Sequence, residues 1–218
     1  MKKVAVVLSG CGVYDGSEIH ESVLTLLALS RAGAQVQCFA PDQPQLHVIN
    51  HLTGEVEAGA SRNVLVESAR IARGAIRPLT ELAVAEFDAL VLPGGFGAAK
   101  NLSDFALEGD RCTVLDTLEQ VGRDFIAAGK PSGYMCIAPA MLPRIAGEGV
   151  MGTIGTDVET AAAFERMGGQ HAARSVSEIA VDNERKIVST PAYMLADSVA
   201  EAAEGIDKLV DQLLAWCE

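Results

Sequence analysis

The feature that most constrains this chain is an unbroken run of β-branched and aliphatic residues near its start, Val4-Ala5-Val6-Val7-Leu8, halted by Ser9-Gly10. A strand with one face in water alternates apolar and polar side chains. A run without alternation fits a strand covered on both faces, as in a parallel sheet flanked by helices. From Glu18 to Arg31 the residues Ile19, Val23, Leu26, Leu27 and Leu29 recur at roughly helical spacing, and Ala32-Gly33 closes the segment with a C-terminal glycine. A second strand runs from Gln35 to Ala40. This βαβ opening predicts a right-handed crossover and an α/β fold, with a mostly parallel sheet and helices on both faces.

The same texture returns twice. Asp88 to Leu92 reads as a buried strand cut off by Pro93-Gly94-Gly95, and Pro131 to Met135 as a third, with an amphipathic helix from Val114 to Ala128 between them. Leu46 to Val56 holds short apolar pieces around Thr53-Gly54 that suit a small hairpin off the main sheet, and Arg62 to Ala72 reads as a helix. Beyond Cys136 the pattern predicts a short helix to about Leu142, a strand near Gly152-Ile154 and a helix from Val158 to Met167. A hairpin of Ile179-Val181 and Lys186-Val188 around Asn183-Glu184 follows, then a closing helix from Asp197 to Trp216. No internal repeat interrupts this order, and 218 residues fit one domain over 1–218.

Composition narrows the function classes. A formal net charge of −12 repels a phosphate backbone, and no dense Lys/Arg patch reverses that field, which argues against a nucleic-acid partner. No apolar run approaches the length of a membrane span. Met1-Lys2-Lys3 before the first run lacks a small-residue cleavage site downstream, so the segment reads as a strand and not a signal peptide. The cysteines, Cys11, Cys38, Cys112, Cys136 and Cys217, are odd in number and form no CxxC pair, which points to reduced thiols and a cytoplasmic protein. The four histidines offer only the loose pair His47/His51, so no structural metal is expected.

Ligands of open α/β sheets sit outside the C-terminal ends of the strands. Three segments occupy such places: Ser9-Gly10-Cys11-Gly12, Leu92-Pro93-Gly94-Gly95-Phe96-Gly97, and Gly133-Tyr134-Met135-Cys136-Ile137-Ala138-Pro139-Ala140. A cysteine between an apolar strand and a small-residue helix start matches a strained nucleophile turn carried by sulfur. Amides at a helix N-terminus would lower its pKa. The alternative for Cys136 is a small buried apolar residue with no chemistry. Gly94 and Gly95 tilt the choice, because glycines at a strand end let backbone N–H groups approach a ligand as an oxyanion site, although alone they fit a tight turn equally well.

Taken together, Leu92-Pro93-Gly94-Gly95, Tyr134-Met135-Cys136-Ile137-Ala138 and an early helix carrying Glu21 before Arg31-Ala32-Gly33 resemble the PfpI/ThiJ superfamily within the class I glutamine amidotransferase-like fold. More narrowly, the stretch from Ser9 to Glu21, Val48 to Gly54, Gly94 to Asn101 and Thr190-Pro191-Ala192-Tyr193-Met194 resemble the ElbB subfamily, a group associated with glyoxalase activity or isoprenoid biosynthesis. The resemblance covers essentially the whole chain and is more specific for the subfamily than for a reaction. It implies a flavodoxin-like three-layer sandwich, a homodimer, and an acid from the first helix beside the elbow cysteine. Counting back from Arg31-Ala32-Gly33 puts that acid at Glu21, with Glu18 as the fallback.

The pattern departs from the superfamily in one respect. Many members carry a histidine about one strand after the cysteine, whereas this chain reads Gly152-Thr153-Ile154-Gly155-Thr156-Asp157 there. A Cys-His-Glu hydrolytic triad therefore lacks its base. Thr156 and Asp157 are candidate pocket residues instead, as is Cys11 after the first strand, while Lys100 and Asn101 fit a polar rim or a helix cap. His20 neighbours Glu21 but points about 100° away on a helix. The resemblance thus implies a cofactor-independent glyoxalase acting on small 2-oxoaldehydes such as glyoxal or methylglyoxal. Cys136 would be the nucleophile, Glu21 the proton shuttle, and Gly94, Gly95 and Ile137 the oxyanion site. Its rival is a non-enzymatic redox-sensing or binding protein linked to isoprenoid biosynthesis, in which Cys136 is oxidised.

Overall fold

The computed structural model describes residues 1–217. Strand β1 (Lys3–Val7) leads through helix α1 (Ile19–Arg31) to β2 (Gln35–Ala40), and β3 (Ile49–Asn50) with β4 (Glu55–Val56) forms the small separate hairpin. Helix α2 (Val64–Ile71) and β5 (Ile76–Pro78) precede β6 (Ala89–Leu92), which is followed by α3 (Phe96–Lys100), α4 (Phe105–Glu108) and α5 (Asp116–Ala127). Strand β7 (Ser132–Met135) runs into a 3-10 turn at Ala138–Met141 and α6 (Leu142–Ala146). Then come β8 (Met151–Gly152), α7 (Val158–Arg166), β9 (Gln170–His171), β10 (Ala180–Asp182), β11 (Ile187–Thr190) and α8 (Val199–Ala215).

Seven strands lie in the order β10-β11-β7-β6-β1-β2-β5. All neighbours are parallel except β10 and β11, the antiparallel hairpin expected at the chain's end. The period of two sends Val4 and Val6 to one face and Ala5 and Val7 to the other. Val4, Val6, Met135 and Val188 join a core with residues of α1 and α8, while Ala5, Val7, Leu90 and Tyr134 pack with Leu118, Phe125, Ile145 and Phe164 opposite. This is the three-layer α/β sandwich, and the apolar runs read in the sequence as doubly covered strands are fully buried.

Helix α1 departs from its sequence reading. Its most visible apolar positions, Ile19, Val23 and Leu27, are exposed, and the buried face carries Glu21, Ser22, Thr25, Ala28 and Leu29. Polar side chains turned inward on the first turns of a helix serve as hydrogen-bonding groups, not as packing. The Glu18 carboxylate caps the helix, accepting from the Glu21 N–H at 2.6 Å. The strand expected near Gly152-Ile154 is short and pairs with β9 outside the main sheet.

Candidate active site

Cys136 follows β7 directly and has φ 58°, a left-handed conformation that costs a residue with a side chain about 1–3 kcal/mol. Its N–H donates to the Thr190 carbonyl at 3.1 Å, tying the turn to the end of β11. The chain beyond it is a 3-10 turn opened by Ala138-Pro139, not the α-helix N-terminus expected. The neighbouring strand end leaves no room for anything but glycine. A Cβ on Gly94 would lie 2.8 Å from Glu21 Oε2 and 2.9 Å from Cys136 Sγ, and would collide with Cys136 Cβ.

Glu21 is fully buried between these turns. Its Oε2 accepts the Gly94 N–H at 2.8 Å and its Oε1 accepts the Tyr193 N–H at 3.1 Å. Burial raises its pKa from the ordinary carboxylate range to about 7, against the pull of those two N–H donors. The Cys136 thiol is 7% exposed, and burial pushes its pKa well up, reinforced by the charge of Glu21. The backbone amides of Gly95 and Ile137 donate to the sulfur and pull the other way. The low thiol pKa expected from the sequence is thus not met. The Gly95 and Ile137 amides do favour the thiolate, but desolvation and an adjacent carboxylate outweigh them.

The structure brings Cys136, Glu21, Gly94, Gly95 and Ile137 together, and Glu21, not Glu18, faces the sulfur. Next to them a cavity of about 230 Å³ is lined by Gly95, Phe96, Ala99, Phe105, Ala106, Ile137, Thr160 and Met194. The other candidates lie elsewhere. Thr156 and Asp157 are exposed, and Asp157 caps α7 by accepting from the Thr160 N–H at 2.8 Å, so the pocket place expected of them falls to Thr160. Cys11 is half-buried among Glu67, Arg70, Asp15 and Arg62 and does not line the cavity. Asn101 is a buried clamp whose Nδ2 donates to the Ser9 and Asp15 carbonyls at 2.9 Å each, while Lys100 Nζ donates to the Tyr14 carbonyl. His20 contacts the outer end of Tyr193, Nδ1 to hydroxyl 2.9 Å.

The residue missed in the sequence is Tyr193, which serves through its backbone N–H. Ala192 before it has φ 43°, a second strained turn at a strand end. The signals were its place just after the β11 run and within the Thr190–Met194 stretch that carries the family resemblance, but neither assigned it a role. Among the described residues no three His, Cys, Asp or Glu side chains are placed to hold a metal ion, and no helix is long and apolar enough to cross a membrane.

A parallel sheet with a cysteine on the turn after a central strand defines a class of α/β proteins, and comparison with solved structures agrees. The chain superposes with a TM-score of 0.91, at 38% identity over all of both chains, on an isoprenoid biosynthesis protein with amidotransferase-like domain from Ehrlichia chaffeensis. It superposes at 0.64 on glyoxalase III from Candida albicans, where 13% identity over 100% of this chain and 98% of that one shows a shared fold. No family model matches the chain. Among curated proteins it is 48% identical to the human mitochondrial glutamine amidotransferase-like class 1 domain-containing protein 3, over 97% of this chain and 82% of that protein. It is 36% identical to the mitochondrial ES1 protein of Danio rerio, over 88% and 76%. The chain therefore belongs to the family of ES1 and glutamine amidotransferase-like class 1 domain-containing proteins.

Proposed function

We propose that this protein is a cofactor-independent glyoxalase that converts a small 2-oxoaldehyde and water into a 2-hydroxy acid. The observation that carries the reading is a buried carboxyl with a pKa near 7 beside a buried thiol that itself lies under two backbone N–H donors. A group titrating near the working pH is an effective general base, so Glu21 takes the place of the absent histidine. Its carboxylate accepts the thiol proton as sulfur attacks the aldehyde carbon, and the Gly95 and Ile137 amides stabilise the oxyanion that forms. Glu21 returns that proton to the oxygen, giving a hemithioacetal. It next removes the hydrogen of the sulfur-bearing carbon as a proton and delivers it to the adjacent carbon through an enediol. Water cleaves the resulting thioester and restores the thiol. One carbon is oxidised and its neighbour reduced, so no outside electron acceptor is needed.

The redox-sensing reading is the weaker one. Oxidation follows thiolate character and accessibility, and Cys136 is nearly closed to solvent with a raised pKa. A homodimer remains part of the proposal, supported by the exposed α1 stripe of Ile19, Val23 and Leu27. The cytosolic setting is carried by the five free cysteines, and the mitochondrial relatives widen it to any reducing compartment. The test is product yield. Glycolate released in many-fold excess over protein supports turnover, and aldehyde loss that stops near one equivalent is thiol trapping and overturns it.

A further inference from the structure

The cavity beside the thiol has no obvious use for glyoxal. Its lining is two phenylalanines, two alanines, Ile137, Met194, the Gly95 backbone and one neutral polar side chain, Thr160. No lysine, arginine, histidine or carboxylate is among these residues. Gly95 and Ile137 belong both to this wall and to the pair of amides that donate to Cys136 Sγ. The cavity is thus one residue away from the thiol: it shares Gly95 and Ile137 with the surroundings of Cys136, which does not itself line it. Its volume of about 230 Å³ is well beyond what the four heavy atoms of glyoxal fill.

Resting on the glyoxalase reading, we infer that the preferred substrates are uncharged 2-oxoaldehydes bearing a compact apolar substituent of about four to six carbons, alkyl or aryl. The carbonyl carbon sits at Cys136 under the Gly95 and Ile137 amides, and the substituent occupies the space between Phe96, Phe105 and Met194. Apolar walls reward each buried methylene with about a fourfold gain, the equivalent of its transfer free energy. A substituent ending in carboxylate or phosphate is rejected, because the cavity offers no cation to pair with a charge taken out of water. The departing hydroxy acid, by contrast, carries its new carboxylate at the thiol end.

Two measurements separate this inference from its parent. The first is kcat/KM for glyoxal, methylglyoxal, 2-oxopentanal, 2-oxohexanal, phenylglyoxal and the carboxylate-bearing 4,5-dioxopentanoate. The inference predicts a rise of about fourfold per added methylene up to 2-oxohexanal, a high value for phenylglyoxal, and 4,5-dioxopentanoate below 2-oxopentanal. It also predicts that Ala106→Asp flattens the rise. Turnover with no dependence on chain length, or with the charged compound preferred, overturns the inference and leaves the glyoxalase reading standing. The second is ligand-observed NMR of acetophenone, an unreactive aryl ketone, with Cys136→Ala protein. Binding that Ala106→Asp removes supports the ligand class even if no aldehyde is turned over, an outcome that sinks only the glyoxalase reading. No acetophenone binding to folded Cys136→Ala protein overturns the inference.

Discussion

Cys136 and Cys11 both follow a buried parallel strand, β7 and β1 respectively, and both have carboxylates nearby, yet they stand in different chemical situations. Around Cys136 the main chain converges: Gly95 and Ile137 direct N–H groups at the sulfur, Thr190 fixes the strained turn, and Glu21 is held by two more N–H groups. Around Cys11 the neighbours are charged side chains of mixed sign, with Glu67 and Asp15 raising the thiol pKa and Arg70 and Arg62 lowering it, all behind the effect of burial. The difference teaches that a strand-end cysteine becomes a site through backbone donors aimed at one point, not through its place in the fold or a nearby acid alone.

Substitutions that touch this convergence should outrank those that touch Cys11. Replacing the nucleophile, Cys136→Ala, is expected to lower glycolate formation from glyoxal by at least about a thousandfold, read by product assay with circular dichroism to verify folding. Glu21→Gln should cost roughly a hundredfold or more in kcat/KM, since an amide neither accepts nor returns a proton. Gly94→Ala drives a methyl into Cys136 and Glu21, and a stability loss of about 1–3 kcal/mol in denaturant melts should accompany the loss of most of the activity. Cys11→Ser should leave kcat/KM within about twofold. If Cys11→Ser and Cys136→Ala prove equally damaging, the comparison fails.

Stability carries its own signature of Glu21. The folded pKa of about 7 exceeds the ordinary value of 4.5, so between those limits the folded state binds more protons than the unfolded one. Stability from this group is therefore full below about pH 4.5 and declines as pH rises to 7, by an amount on the order of 3 kcal/mol. Chemical denaturation of wild type and Glu21→Gln across that range should show this decline in the wild type alone. The amide nitrogen of the variant must face one of the two N–H donors, which costs it about 1–3 kcal/mol at every pH.

The sequence and the structure agree where burial is strongest. Strands β1, β6 and β7 were legible because both faces are covered, which erases alternation and leaves continuous apolar runs ending in Ser9, Pro93 and Cys136. The elements β5, β9, α3 and α4 were not, being two to five residues long and held by tertiary contacts, with Arg77-Pro78 in β5 carrying no strand pattern. The α1 stripe was visible but pointed outward, because the helix spends its inner face on Glu21, Ser22 and Thr25. In the site, Cys136 and the Gly94-Gly95 turn could be read from residue type and position, and Glu21 only through the family resemblance. Tyr193 could not, because it acts through an N–H that nearly every residue has, and Thr160 is brought in only by the packing of α7.

The central claim is that Glu21 is a buried acid poised near neutrality beside Cys136. The direct measurement is a pH titration of the protein with carbon-13 in its glutamate side-chain carboxyls, with the Glu21 resonance assigned by its loss in Glu21→Gln. The account predicts an inflection near pH 7 for that resonance. A Glu21 carboxyl that titrates near 4.5, like an ordinary solvated glutamate, would contradict it.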